Sequence, residues 1–118
     1  DGILIKDNHI LAAGGVTQAV TEAKRSARHS LKVQVEVKNL DEVEAAIAAG
    51  ADGLLLDNMP PAMVSQIVAS FGEKVVLESS GNITLDTIRS YAEAGVDIVS
   101  IGALTHSVIA ADLSLLFQ

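Results

Sequence analysis

The sequence predicts an α/β fold, a partial (β/α) barrel of about five parallel strands with helices between them. Three observations carry that reading. Short apolar runs ending in a polar residue recur along the chain, and segments of helical length separate them. The polar strand ends Lys6, Glu36, Asp57, Glu78 and Ser100 follow one another at 30, 21, 21 and 22 residues. A barrel suits this better than a doubly wound sheet, because side chains capable of chemistry stand at nearly every strand end. An eight-stranded barrel takes roughly 200 residues or more, whereas 118 residues hold about five of its strands. Residues 1–118 therefore read as one portion of a barrel domain. The chain opens Asp1-Gly2-Ile3 with no Met, so a removed start or a preceding segment is expected.

The elements follow in order. Ile3 to Lys6 is the first strand, and Asp7-Asn8 has the composition of a turn after it. Ala19, Val20, Ala23 and Ala27 recur at helical spacing, with His29 at that helix's end, where a cation complements the dipole. Val33 to Glu36 is the second strand. Asn39 or Asp41 can cap the next helix, Glu42 and Glu44 suit its first turn, and Gly50 stops it. Leu54 to Asp57 shows little alternation, as in parallel strands buried on both faces. Pro60-Pro61 opens a further helix, Val75 to Glu78 is the fourth strand, Thr84 can cap the helix that ends at Gly95, and Ile98 to Ile101 is the fifth strand. Ala49-Gly50-Ala51-Asp52 and Ala94-Gly95-Val96-Asp97 repeat one helix-to-strand turn.

Composition narrows the function classes. Hydrophobic residues make up 49% but aromatics only 3%, so the core is built from Ala, Val, Ile and Leu in layers. Met59, Met63, Phe71, Tyr91 and Phe117 read as packing residues. A formal charge of −7 argues against nucleic acid, which needs clustered Lys and Arg. The absence of Cys excludes a disulfide framework and a thiolate metal site, and cytoplasm is the expected compartment. No apolar run approaches the roughly 18 residues of a membrane span. Gly14-Gly15 lacks the full glycine pattern of a dinucleotide loop and no strand directly precedes it.

Barrel chemistry sits in the loops after the strands' C-terminal ends, so the polar strand ends are the candidate site. Lys6 can meet a carboxylate or phosphate and His9 can donate or titrate near neutrality; a solvated strand end is the alternative. Glu36 and Asp57 end adjacent strands and can converge on a sugar diol or on magnesium, which prefers hard oxygen donors. Ion pairing with Lys6 or Lys38 is the alternative, and three successive strands ending in Lys, Glu and Asp favour a site. Ser79-Ser80-Gly81-Asn82 and Gly102-Ala103-Leu104-Thr105-His106-Ser107 have the composition of loops whose backbone N–H groups cradle phosphate. They follow the last two strands, the usual phosphate position of a barrel. His106 is a phosphate ligand or a helix-start residue.

Taken together, Leu4-Ile5-Lys6-Asp7-Asn8-His9, Ala13-Gly14-Gly15, Val35-Glu36-Val37, Leu55-Leu56-Asp57-Asn58-Met59, Leu77-Glu78-Ser79-Ser80-Gly81-Asn82-Ile83, Gly95-Val96-Asp97 and the Gly102 to Ser107 segment resemble the quinolinate phosphoribosyltransferase family, in order and over essentially the whole chain. The resemblance implies the C-terminal portion of the barrel domain, with an N-terminal sandwich domain and the first barrel strands not included. It implies ribose phosphate transfer from phosphoribosyl pyrophosphate to quinolinate with Mg2+, releasing pyrophosphate and CO2, by a homo-oligomer. Lys6 then faces the substrate anions, and Glu36 and Asp57 hold ribose hydroxyls or the metal. Ser80, Gly81, Asn82, Gly102, Ala103 and His106 bind phosphate groups. Asn82 stands where many members have a second Gly, and Asn tolerates the left-handed geometry of such a turn. The acceptor's carboxylates depend on basic residues outside this chain, whose only arginines are Arg25, Arg28 and Arg89. The alternatives are a related barrel phosphoribosyltransferase with another acceptor and a non-catalytic phosphate-binding half barrel.

Overall fold

Five strands pair side by side in the order in which they occur, all parallel. The structure is a computed structural model that describes residues 2–27 and 30–106, with Leu113 and Leu115 beyond them. The expectations for Arg28, His29, Ser107 and Phe117 lie outside the described residues. The order is β1 (Gly2–Ile5), α1 (Asp7–Ala13), α2 (Val16–Ser26), β2 (Lys32–Val37), α3 (Leu40–Ala48), β3 (Gly53–Asp57), α4 (Pro61–Phe71), β4 (Val76–Ser80), α5 (Ile88–Ala94), β5 (Ile98–Val99) and α6 (Ala103–His106). A doubly wound sheet reverses its strand order at a switch point. This sheet does not, and that is the winding of a barrel segment.

The helices cover one face of the sheet. Val33, Val35, Val37, Leu54, Leu56 and Leu77 point into them, all essentially fully buried. Val20 of α2, Val43 and Ala46 of α3, and Val64 and Ile67 of α4 meet them from the other side. On the opposite face Leu4, Val76 and Ile98 keep 41%, 48% and 47% of their surface exposed. That face is the interior of the barrel curve, and the polar strand ends stand on it. Leu55 points there too and is only partly buried, so β3 is fully buried on its helix face alone.

The cap expected at Asn39 is present: its side chain accepts from the Glu42 N–H at 2.9 Å, and Glu42 reaches back to the Lys38 N–H at 2.8 Å. The helix-end glycines Gly14, Gly50 and Gly95 take the left-handed conformation that glycine adopts without steric cost, at φ 88°, 89° and 93°. The two repeated turns do one job. Asp52 accepts the Val33 N–H at 2.7 Å, and Asp97 accepts the Leu77 N–H at 2.8 Å. Each turn thereby pins the strand it opens to the strand before it, at the end of the sheet remote from the candidate site.

Three expectations are corrected. Asp7 and Asn8 form the first turn of α1 rather than a loop turn, because the Lys6 carbonyl accepts from the N–H groups of His9 and Ile10. Thr84 does not cap α5. It heads a separate turn in which its carbonyl accepts from the Thr87 and Ile88 N–H groups, and the helix begins only at Ile88. Met63 is a surface residue, since Val64 and Ile67 take the inward positions of α4.

Candidate active site

Parallel register sets the floor of the site. Glu36, Leu55, Glu78 and Ile98 are neighbours across four strands, and the preceding inward rung is Leu4, Gln34, Gly53 and Val76. Lys6 directly follows β1, and its Nζ lies 3.5 Å from Glu36 Oε2. Above this floor opens a cleft of about 610 Å³. Lys6, Glu36, Asp57, Glu78 and Ser80 line it from the strand ends, Gly81 and Asn82 from the loop after β4, and Ser100, Gly102, Ala103 and His106 from the segment after β5. Of the residues singled out from the sequence, Lys6, Glu36, Asp57, Ser80, Gly81, Asn82, Gly102, Ala103 and His106 are thus brought together.

His9 is not among them. Its ring turns back along α1, where Nδ1 accepts the Lys6 N–H at 3.0 Å, and its side chain borders an apolar hollow beside β1. With Nδ1 accepting, the neutral ring carries its proton on Nε2. His9 shapes the turn that directs Lys6.

The loops after β3 and β4 interlock. Asn58 and Asn82 both take left-handed backbone, at φ 55° and 52°, and Asn82 Nδ2 donates to Asn58 Oδ1 at 2.9 Å. Asn82 therefore has the geometry expected of it. Gly81, at φ 86°, packs so closely on Asn58 that a Cβ would overlap its carboxamide. The absence of a side chain at Gly81 is therefore what lets the loops after β3 and β4 pack against each other at the rim of the cleft.

Charge in the cleft is unevenly compensated. Glu36 pairs with Lys6, while Lys38, directly after β2, pairs with Asp7. The Asp7 carboxylate bonded to Lys38 holds its ammonium above the usual lysine range, and Glu36 and Asp57 add to that field. Among the described residues Asp57 and Glu78 have no ion-pair partner. Glu78 instead accepts from Gln34 Nε2 at 2.7 Å and from the Ser100 hydroxyl. Gln34, one rung below, supports the cleft-lining Glu78 and is a residue that sequence reasoning passed over. Its signal was the alternation of Val33-Gln34-Val35-Glu36-Val37, which puts Gln34 on the same face as Glu36.

Comparison with known proteins agrees with this geometry. The sequence model of "Quinolinate phosphoribosyl transferase, C-terminal domain" matches residues 1–116. The chain is 40% identical over 115 residues to the probable nicotinate-nucleotide pyrophosphorylase [carboxylating] of Bacillus subtilis, covering 98% of this chain and 40% of that protein. It is 40% identical over 116 residues to the human nicotinate-nucleotide pyrophosphorylase [carboxylating], covering 96% and 39%. The solved structure of the nicotinate-nucleotide pyrophosphorylase from Francisella tularensis superposes with a TM-score of 0.86 at 47% identity, covering 97% of this chain and 40% of that one. The chain thus spans about 40% of the length of the relatives it matches. With the singly wound sheet and the cleft at its strand ends, the match over nearly every residue means that this chain belongs to the quinolinate phosphoribosyl transferase C-terminal domain family.

Proposed function

We propose that this chain supplies the ribose-phosphate side of the active site of a carboxylating nicotinate-nucleotide pyrophosphorylase, a cytoplasmic homo-oligomer that takes quinolinate and phosphoribosyl pyrophosphate to nicotinate mononucleotide, pyrophosphate and CO2. The observation that carries the proposal is the single cleft in which Lys6, Glu36 and Asp57 face the loops Ser80-Gly81-Asn82 and Gly102-Ala103. As the bond from ribose C1 to pyrophosphate breaks and the bond to the acceptor nitrogen forms, positive charge develops on the sugar. Anions fixed beside it stabilise that charge without reorganising. Asp57, with no ion-pair partner among the described residues, is the better placed for this, and Glu36 is held in position by Lys6. The Lys6 ammonium suits the acceptor's carboxylate and the charge left on the ring once CO2 departs. Backbone N–H groups in the loops after β4 and β5, with the Ser80 hydroxyl and His106, suit the 5′-phosphate.

Glu36 and Asp57 fit a magnesium ion by donor chemistry. Magnesium is ordinarily held by one or two carboxylates together with substrate phosphates rather than by a cage of protein ligands. Among the described residues no group of three or more His, Cys, Asp or Glu side chains gathers into such a cage. When bound with the substrate, the ion would offset the charge of the departing pyrophosphate.

The test is a chimera in which this chain replaces the matching segment of the Bacillus subtilis relative, assayed for nicotinate mononucleotide and CO2. Turnover within about tenfold of the unaltered relative is the expected outcome. A folded chimera that binds phosphoribosyl pyrophosphate without turnover would favour a non-catalytic phosphate-binding half barrel. Turnover with a different acceptor would move the chain to a related phosphoribosyltransferase.

A further inference from the structure

Gln34 on β2 and Glu78 on β4 are separated by a whole strand, yet Gln34 Nε2 donates to Glu78 Oε2 at 2.7 Å. The strand between them is β3, and its residue in register with Gln34 is Gly53. A Cβ on Gly53 would already touch the Gln34 side chain, 3.5 Å from its Cγ. With no side chain on Gly53, the carboxamide crosses β3 unobstructed. From the other side the Ser100 hydroxyl donates to Glu78 Oε1, and the Ser100 N–H is fixed to the Ser79 carbonyl at 2.9 Å. One carboxylate therefore joins β2 to the segment that enters the loop after β5, from a position two residues before Ser80. A purely packed floor would use an apolar side chain here. A partly buried carboxylate carries a desolvation cost, which its two hydrogen bonds offset while also tying together segments that packing alone would leave separate.

We infer that Glu78 is a positioning residue: through Gln34 and Ser100 it fixes the loop after β5 against the loop after β4, and so sets the spacing of the groups that grip a phosphate between them. The inference rests on the phosphoribosyl transfer reading above, which places one phosphate across both loops. Glu78 and Gln34 act through the loops, whereas Asp57 and Glu36 act on the sugar.

Two measurements on the full-length enzyme containing this chain test the strut: kinetics with phosphoribosyl pyrophosphate as the varied substrate, and calorimetric titration with inorganic phosphate. Glu78→Ala removes both bonds and Gln34→Ala removes one. Glu78→Gln keeps the connection, since a carboxamide accepts from Gln34 through its oxygen and donates to Ser100 through its nitrogen. KM for phosphoribosyl pyrophosphate and Kd for inorganic phosphate should both rise about tenfold in Glu78→Ala, and less in Gln34→Ala. More of the loss should fall in KM than in kcat, and Glu78→Gln should recover most of it. A Glu78→Gln enzyme as impaired as Glu78→Ala would overturn the inference, because charge rather than connection would then matter. Unchanged phosphate affinity in both alanine variants would overturn it equally. Should Glu78→Ala fail to fold, the contrast between Gln34→Ala and Glu78→Gln decides. An unaltered enzyme that makes no nicotinate mononucleotide would sink the phosphoribosyl transfer reading alone, while the phosphate titrations would still judge the strut.

Discussion

Asp57 lines the cleft with no cation paired to it among the described residues, whereas Glu36 lies 3.5 Å from Lys6. The two carboxylates, equivalent in the sequence pattern, are therefore not equivalent in the field they exert. Under the proposed phosphoribosyl transfer, Asp57→Asn in the full-length protein should lower kcat about 100-fold, the scale of removing one preorganised charge-stabilising group, with an unchanged thermal unfolding midpoint. Unaltered kinetics would remove Asp57 from the site. Ser79 makes a different prediction. It is fully buried on the helix face of β4, and its hydroxyl has no partner among the described residues. An unsatisfied buried hydroxyl is destabilising, so Ser79→Ala should stabilise the protein by about 1 kcal/mol in urea unfolding; a loss of stability would mean that the hydroxyl is bonded. Neither property is legible in the sequence, where Ser79 and Ser80 are adjacent serines. Strand alternation sends one to the helices and the other to the cleft.

The ends of α3 and the glycine stops at Gly50 and Gly95 were legible because their signals are local, whereas the starts of α1 and α5 were not. Asn39 caps α3 through a bond to a residue three positions on, and Asn39→Ala should cost about 1 kcal/mol by thermal or urea unfolding. The short helix α1 was not legible. It buries no residue, leaves Leu11 82% exposed, and takes its cap from the His9 ring instead of from Ser, Thr, Asp or Asn. The repeated Ala-Gly-x-Asp turn was recognised as a turn, but its purpose needed the neighbouring strand. Asp52 gathers Lys24 at 2.7 Å, the Val33 N–H and Lys32. Burial raises its pKa, but these partners outweigh burial and hold the carboxyl below its ordinary 3.8. An unfolded chain then takes up this proton before the folded one does. The resulting stability is fully present above the unfolded pKa and is lost as pH falls below about 4. Asp52→Asn should lower stability at pH 7 by about 1 to 2 kcal/mol and flatten the acid limb of the stability curve. An acid limb identical to that of the unaltered protein would contradict this account.

At the scale of the molecule, among the described residues, the sheet has two edges that pair with no further strand, β1 and β5, and an inner face on which Leu4, Val76 and Ile98 are exposed. Unpaired strand edges beside apolar surface promote association unless something covers them. Expressed by itself, the 118-residue chain should elute from size exclusion as oligomers or aggregates, and a stable monomer at high concentration would show that the inner face tolerates water. The 21-residue spacing and the alternation within Val33-Gln34-Val35-Glu36-Val37 come from the sequence by itself. They determine βα units, parallel strands and the polar character of the strand ends, since period and composition are properties of neighbours along the chain. Only the tertiary structure decided which face of each strand meets the helices, that His9 turns away from the cleft while His106 borders it, and that Gln34 crosses Gly53 to reach Glu78. The crossing of Gln34 to Glu78 depends on register between strands far apart in sequence, 44 residues in this case, and a one-residue slip would turn those side chains to the other face; the turn of His9 depends instead on the local fold of α1.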